Sequence, residues 1–159
     1  MLMRSTSAMQ DAQDRLLGEF TYVSNELDEL YRVAAKRLGL SPSAYEILVV
    51  LRTMDGCTQK ELCDECSLSK QTVNSAVHGM ERAGLVRVES SGHRATQVWL
   101  TEEGRSLVAG RLDEMYEAER QAFRSLSVEE RLAFVSLTKR FSEELKVRFA
   151  ALEQRPGER

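Results

Sequence analysis

The chain has 159 residues, 42% hydrophobic and 30% charged, with a formal net charge of −3; this suits one domain with a sizeable core and argues against a general nucleic-acid coat. Two prolines and nine glycines leave little room for linkers. No apolar run reaches membrane-spanning length, and the start MLMRSTSAMQDAQDR lacks an apolar signal region, so a cytoplasmic protein with no membrane partner is expected.

The first expected element is a long helix from about Ala12 to Leu38. Leu16, Phe20, Val23, Leu27, Leu30, Ala34 and Leu38 recur in steps of four and three, the spacing of one helical face. Gly39 ends it. Ser41 caps the next helix and Pro42 takes its first position, where a missing N–H does no harm. That helix carries Tyr45, Leu48, Val49, Leu51 and Arg52 and is expected to end near Asp55-Gly56.

The stretch TQKELCDECSLSKQTVNSAVHGMERAGLV, Thr58 to Val86, reads as two short helices joined by a tight turn. Thr58 and Glu61 have the spacing of a capping box, in which each side chain satisfies a free backbone N–H near the other. Leu62, Cys63 and Cys66 then share one side. Ser67-Leu68 makes the turn, and Ser69 is a good N-cap for the second helix. Val73, Val77 and Met80 recur at buried-stripe spacing. The opposite face carries Gln71, Asn74, Ser75, His78 and Arg82, polar, mostly uncharged and able to hydrogen-bond. Gly84 stops the helix, because glycine takes the left-handed C′ geometry cheaply. A helix fits the DNA major groove, where amide and hydroxyl side chains match base-edge patterns. A helix-turn-helix delivers the N-terminal half of its second helix to those edges. The alternative is a helical hairpin with a solvated face, which usually carries more Lys and Glu.

Leu85-Val86-Arg87-Val88-Glu89 and Thr96-Gln97-Val98-Trp99-Leu100 are β-prone runs on either side of the polar loop Ser90-Ser91-Gly92-His93-Arg94-Ala95. A helix-turn-helix followed at once by a hairpin is a winged helix. From Leu68 to Arg94, Lys70, Arg82, Arg87 and Arg94 face Glu81 and Glu89, a net of +2, so the remainder carries −5 of the total −3. A mildly basic reading surface on an acidic body suits selective DNA binding.

Beyond the hairpin, Thr101 caps a further long helix, with Glu102 and Glu103 at its positive end. Its stripe is Leu107, Val108, Leu112, Met115, Tyr116 and Phe123. Ser127 and Glu130 form a second capping box. The last helix carries Leu132, Phe134, Val135, Leu137, Phe141, Leu145 and Phe149, and the polar tail 153–159 is expected to be disordered. The first helix and the last two are amphipathic, and one small domain cannot bury all three stripes on itself. A two-fold dimer with interlocked terminal helices is expected, with Leu16, Leu17, Phe20, Phe141, Leu145 and Phe149 at its interface. An intrachain bundle is the alternative.

The order of elements, the phrase LSKQTVNSAVHGMERAGLV and the closing VWLTEEG resemble the MarR family of bacterial winged-helix transcription regulators over nearly the whole chain. The expected fold is mostly α: a winged helix-turn-helix over 41–100, with a small β-hairpin wing, and a helical dimerisation region over 12–38 and 102–150, all in one domain. The expected partners are double-stranded DNA and a second copy of the chain. The expected DNA-facing set is Thr58, Ser69, Lys70, Gln71, Thr72, Asn74, Ser75, His78, Arg82, His93 and Arg94. The resemblance implies a dimeric repressor of a pseudo-palindromic operator, relieved by a small, often aromatic ligand or by an oxidant. The effector pocket would lie between the dimer helices and the reading head, with Tyr22, Asn25, Tyr45, Arg52 and Tyr116 as its candidates. The sequence departs from the family where relatives often have Asp-Arg-Arg at the wing tip and this chain has Gly92, His93 and Arg94. Ser75 and Gly79 stand where arginine is common, and Ser67 stands in a turn that often holds glycine. These departures imply weaker or more salt-sensitive binding and leave open a protein–protein module with little DNA affinity.

Cys63 and Cys66 form a C-x-x-C, with Cys57, His78 and His93 in reach of a zinc or redox reading. Buried cysteine behaving as a small hydrophobe is the plainer one. Cys57, near a helix N-terminus, is expected to be the most acidic thiol of the three. No catalytic motif, cofactor site or metal site is expected: neither histidine sits in one, and Asp64-Glu65 and Glu143-Glu144 diverge on a helix.

Overall fold

The computed structural model describes residues 2–90 and 96–153. The chain forms two compact units, Met1–Met115 and Tyr116–Arg159.

The first unit opens with α1 (Leu2–Arg37), which begins ten residues earlier than the apolar repeat suggested. Gly39, at φ 74°, turns the chain. Helix α2 (Pro42–Leu51) starts where Ser41 Oγ accepts the N–H of Ala44 at 3.2 Å. It stops at Leu51, short of the expected Asp55-Gly56. Thr53 and Met54 both donate to the Val50 carbonyl, and Gly56, at φ 86°, redirects the chain. A two-residue strand follows, β1 (Cys57–Thr58), which the sequence did not announce because so short a segment carries no periodicity. Helices α3 (Gln59–Cys66) and α4 (Lys70–Arg82) come next. Then β2 (Val86–Glu89) and β3 (Gln97–Leu100) form the hairpin. The sheet order is β1-β3-β2, all antiparallel, with Val86 opposite Leu100 and Glu89 opposite Gln97. The expected hairpin is thus the outer part of a three-stranded sheet.

One core lies under these elements. Ile47, Leu48 and Leu51 of α2 meet Leu62 of α3, Val73, Val77 and Met80 of α4, and Val86, Val98 and Leu100 of the sheet, with Ala35 from α1. The phrases ERAGLV and LTEEG prove to be two halves of one contact. Thr101 donates its N–H to the Leu85 carbonyl and its hydroxyl to the Gly84 carbonyl, at 3.1 and 2.6 Å. Its hydroxyl oxygen also accepts the N–H of Gly104, capping α5 (Glu102–Leu107). Gly104 is buried so tightly against that corner that a Cβ would stand 2.0 Å from the Leu85 carbonyl oxygen.

The expected single helix after Thr101 is interrupted. A π turn, Val108–Leu112, separates α5 from α6 (Asp113–Arg124), and α7 (Val128–Glu153) follows. Val108 and Leu112 are buried on the π turn, so the widened backbone still delivers the expected apolar side chains inward. In the second unit the Ser127–Glu130 capping box is present, and Phe123 meets Phe134 edge-on at 6.3 Å. Glu153 closes α7, and the rest of the expected tail, like His93 and Arg94 of the wing, lies outside the described residues.

Candidate nucleic-acid interface

The candidate surface rests on local signals in the sequence. Thr58 caps α3 in a reciprocal box: its hydroxyl oxygen accepts the Glu61 N–H at 3.2 Å, and Glu61 accepts the Thr58 N–H at 2.7 Å. The Thr58 N–H and the Thr58 hydroxyl both donate to the Glu61 carboxylate and hold its pKa below the usual value. The chain then turns at Ser67, at φ 52° the one non-glycine residue with positive φ among those described. Its N–H reaches the Cys63 carbonyl, which closes the turn without the glycine expected there. Ser69 caps α4 by accepting the Thr72 N–H at 3.1 Å, and the two hydroxyls meet at 2.8 Å.

Helix α4 divides cleanly. Val73, Ala76, Val77 and Met80 are buried, while Lys70, Gln71, Asn74, Ser75, His78 and Arg82 are exposed. The division follows from spacing: residues three and four apart share a face. His78 lies 3.4 Å from Glu81, which makes the centre of the exposed flank less basic than its cations alone imply. Thr58, Ser69 and Thr72 sit beside this flank with their hydroxyls already engaged in caps, so their first role is to hold the turn. On the wing, strand alternation turns Val86 and Val98 inward and leaves Arg87 and Glu89 exposed. Arg87 pairs with Glu89 and lies over the Trp99 ring, 5.6 Å from its centroid. It is an exposed cation next to the helix-turn-helix that sequence reasoning counted only as charge; the odd–even pattern Val86-Arg87-Val88-Glu89 was its signal.

A sequence model of the MarR family matches residues 38–95, which include α2 to β2. The chain is also similar to a MarR family transcriptional regulator from Silicibacter pomeroyi, 26% identical at TM-score 0.62 over 79% of this chain and 89% of that one. Residues 38–95 thus carry the MarR family pattern, on a fold shared with MarR family regulators. Two further likenesses support the MarR fold. A MarR family regulator from Neisseria meningitidis is 19% identical at TM-score 0.70, covering 87% of this chain and 99% of that one. A MarR/EmrR family regulator from Acinetobacter sp. ADP1 is 20% identical at TM-score 0.70, covering 84% and 96%. No curated protein matches the chain.

The five effector candidates lie in different settings. Tyr22 and Asn25 lie exposed on α1. Tyr45 is buried in the core of the reading head, its ring 6.4 Å from that of Tyr31. Tyr116 belongs to the second unit, where the Arg120 guanidinium lies 5.2 Å from its ring. Arg52 lines an open cleft of about 480 Å³ with Leu51, Asp55, Leu100, Arg105 and Val108. Helical periodicity places such residues on a face but does not say which faces enclose space.

The cysteine expectation for Cys57 is corrected. Burial pushes its thiol up, against the lowering expected near a helix N-terminus, because a desolvated thiolate is costly. Burial also pushes Cys66 up to about 11, with help from nearby Glu46. All three cysteines are free thiols. Among the described residues no cluster of three or more His, Cys, Asp or Glu is placed to hold a metal, and no helix is long and apolar enough to cross a membrane.

Proposed function

We propose that this chain is a homodimeric MarR-family repressor that reads a pseudo-palindromic operator with the exposed flank of α4 and is relieved by a small ligand. One observation carries the reading: Gln71, Asn74, Ser75, His78 and Arg82 all face outward from a helix seated on a capped turn. Amide and hydroxyl groups in that position suit base edges, and Lys70 and Arg82 at the flank's two ends suit phosphate. His93 and Arg94 would add to it from the wing.

The dimer is supported by apolar residues that the single chain leaves uncovered. Leu16, Leu17 and Phe20 on α1 are 65, 53 and 48% exposed, and Phe141 and Phe149 on α7 are 38 and 59% exposed. Exposed apolar surface on that scale marks an association site, and a two-fold partner supplies the same stripes in return. Leu145 is half-buried and belongs to the same face. Relief by a small, aromatic effector is favoured over relief by an oxidant. Reactive cysteines need accessible thiolate, and burial of Cys57 and Cys66 works against it. The cleft beside Arg52 offers an effector an apolar wall and two arginine–aspartate pairs.

The test is a gel shift on the DNA upstream of the chain's own gene at two salt concentrations. Binding that weakens steeply with salt is expected; none at low salt would favour a protein–protein module. Asn74→Ala should then cost roughly 1–3 kcal/mol on the true operator and little on random DNA. An equal loss on both would take base reading away from Asn74.

A further inference from the structure

We propose that the cleft beside Arg52 binds a small zwitterion with an apolar body, an α-amino acid with an apolar side chain; this rests on the ligand-relieved reading above. Every residue that lines the cleft belongs to the first unit. Its apolar lining is Leu51 from the end of α2, Leu100 from the end of β3, and Val108 and Ala109 from the π turn. Two ion pairs line the same space. Arg52 donates through Nε to Asp113, the first residue of α6, and Arg105 of α5 donates to Asp55 at 3.1 Å. A volume of about 480 Å³ is in the range of small-molecule sites.

Charge decides the class of ligand. Each guanidinium already faces a carboxylate, so the charges of the two pairs cancel. A bare anion would gain two arginines but meet two aspartates, and a bare cation would meet the reverse. Glu102, 3.8 Å from Arg105 and almost wholly exposed, adds a carboxylate at the rim that disfavours an anion further. An uncharged apolar solute would strip water from both pairs and return no hydrogen bond. A zwitterion avoids all of these costs, because it offers a carboxylate to arginine and an ammonium to aspartate. A guanidinium has five donors and a carboxylate about four acceptor sites, so each member of an ion pair can bind a further group. Exposure selects the contacts. Arg105 is 49% exposed against 32% for Asp55, and Asp113 is 42% exposed against 24% for Arg52. Arg105 therefore takes the carboxylate and Asp113 the ammonium, with Asp55 and Arg52 as their inner partners.

The cleft also touches the entry to the helix-turn-helix. Asp55 accepts the Leu100 N–H at 2.8 Å and directly precedes Gly56, whose N–H donates to the Val98 carbonyl at 3.1 Å. Strand β1 and the Thr58 cap of α3 follow at once. A ligand carboxylate that competes for Arg105 loosens Asp55 at this turn. Occupancy thus has a route to DNA affinity that lies wholly within the head.

The experiment measures binding to the full chain by calorimetry, and then operator affinity with and without ligand. The probe is L-phenylalanine, set against its two halves, 3-phenylpropanoate and 2-phenylethylamine, and against L-serine, which has the charges without the apolar body. L-phenylalanine should bind about tenfold more tightly than any of the three, the scale of one hydrogen bond to a charged group. Asp113→Asn should weaken L-phenylalanine about tenfold and strengthen 3-phenylpropanoate, opposite shifts that a loss of stability does not produce. Ala109→Leu, at an exposed position of the lining, should abolish binding by filling the cleft while the unfolding temperature stays near that of the wild type. Any of the three comparison probes binding as tightly as L-phenylalanine would overturn the proposal. So would L-phenylalanine failing to bind the wild type, or equal losses of L-phenylalanine and 3-phenylpropanoate in Asp113→Asn. L-phenylalanine that binds as expected but leaves operator affinity unchanged would instead overturn the ligand-relieved reading, and a chain that binds no DNA would overturn the regulator.

Discussion

The reading head and the terminal helices carry the same kind of sequence pattern and reach opposite fates. In α4, Val73, Val77 and Met80 follow helical spacing and are buried. In α1, Leu16, Phe20, Val23, Leu27 and Leu30 follow it equally well and are exposed, as are Leu132, Phe134, Val135 and Leu137 in α7. The difference lies in what each stripe faces. The head folds three helices and a sheet onto one core, so its stripes meet each other. The stripes of the long helices keep much of their apolar surface exposed. An amphipathic stripe thus states that a partner is required, not whether the partner lies in the same chain.

That contrast can be broken or sharpened by substitution. The largest effect is expected from Gly104→Ala, which forces a methyl group into the Leu85 carbonyl. Overpacking against backbone should cost about 3 kcal/mol, read as a lower urea midpoint; a change under half that would mean the α5 start can shift away. Next comes the pair Phe20→Ser and Phe149→Ser, both on exposed stripes. Together these should weaken self-association by about 100-fold, or about 2.7 kcal/mol, as for interface anchors, while the helical spectrum survives at high protein concentration. Sedimentation that remains unchanged would return the terminal helices to a monomer. Thr58→Ala removes the cap of α3, at about 1 kcal/mol of stability. Gly79→Ala is the smallest and has the opposite sign. A Cβ there meets nothing within 4 Å, so the helix should gain about 0.5–1 kcal/mol. If Gly79→Ala stabilises the fold yet weakens operator binding, the bare α4 backbone at that position faces DNA.

The sequence by itself determined the local structure of the head. Ser41, Thr58, Ser69, Thr101 and Ser127 each mark a helix start, because a capping side chain acts within three residues of its own backbone. The split of α4 into buried and exposed flanks was legible for the same reason: period alone fixes it. What lay outside local pattern was left to the tertiary structure. Strand β1 exists only because β3 passes beside it, and the π turn fits the same apolar residues as an unbroken helix. Cys57 lost its expected acidity to burial, which spacing cannot report. Tyr45 went into the core of the head, and Arg52 found Asp113, sixty-one residues away. Caps and periods are interactions between neighbours in the chain, so they are written in it; burial, cavities and distant ion pairs come from segments that meet only after folding.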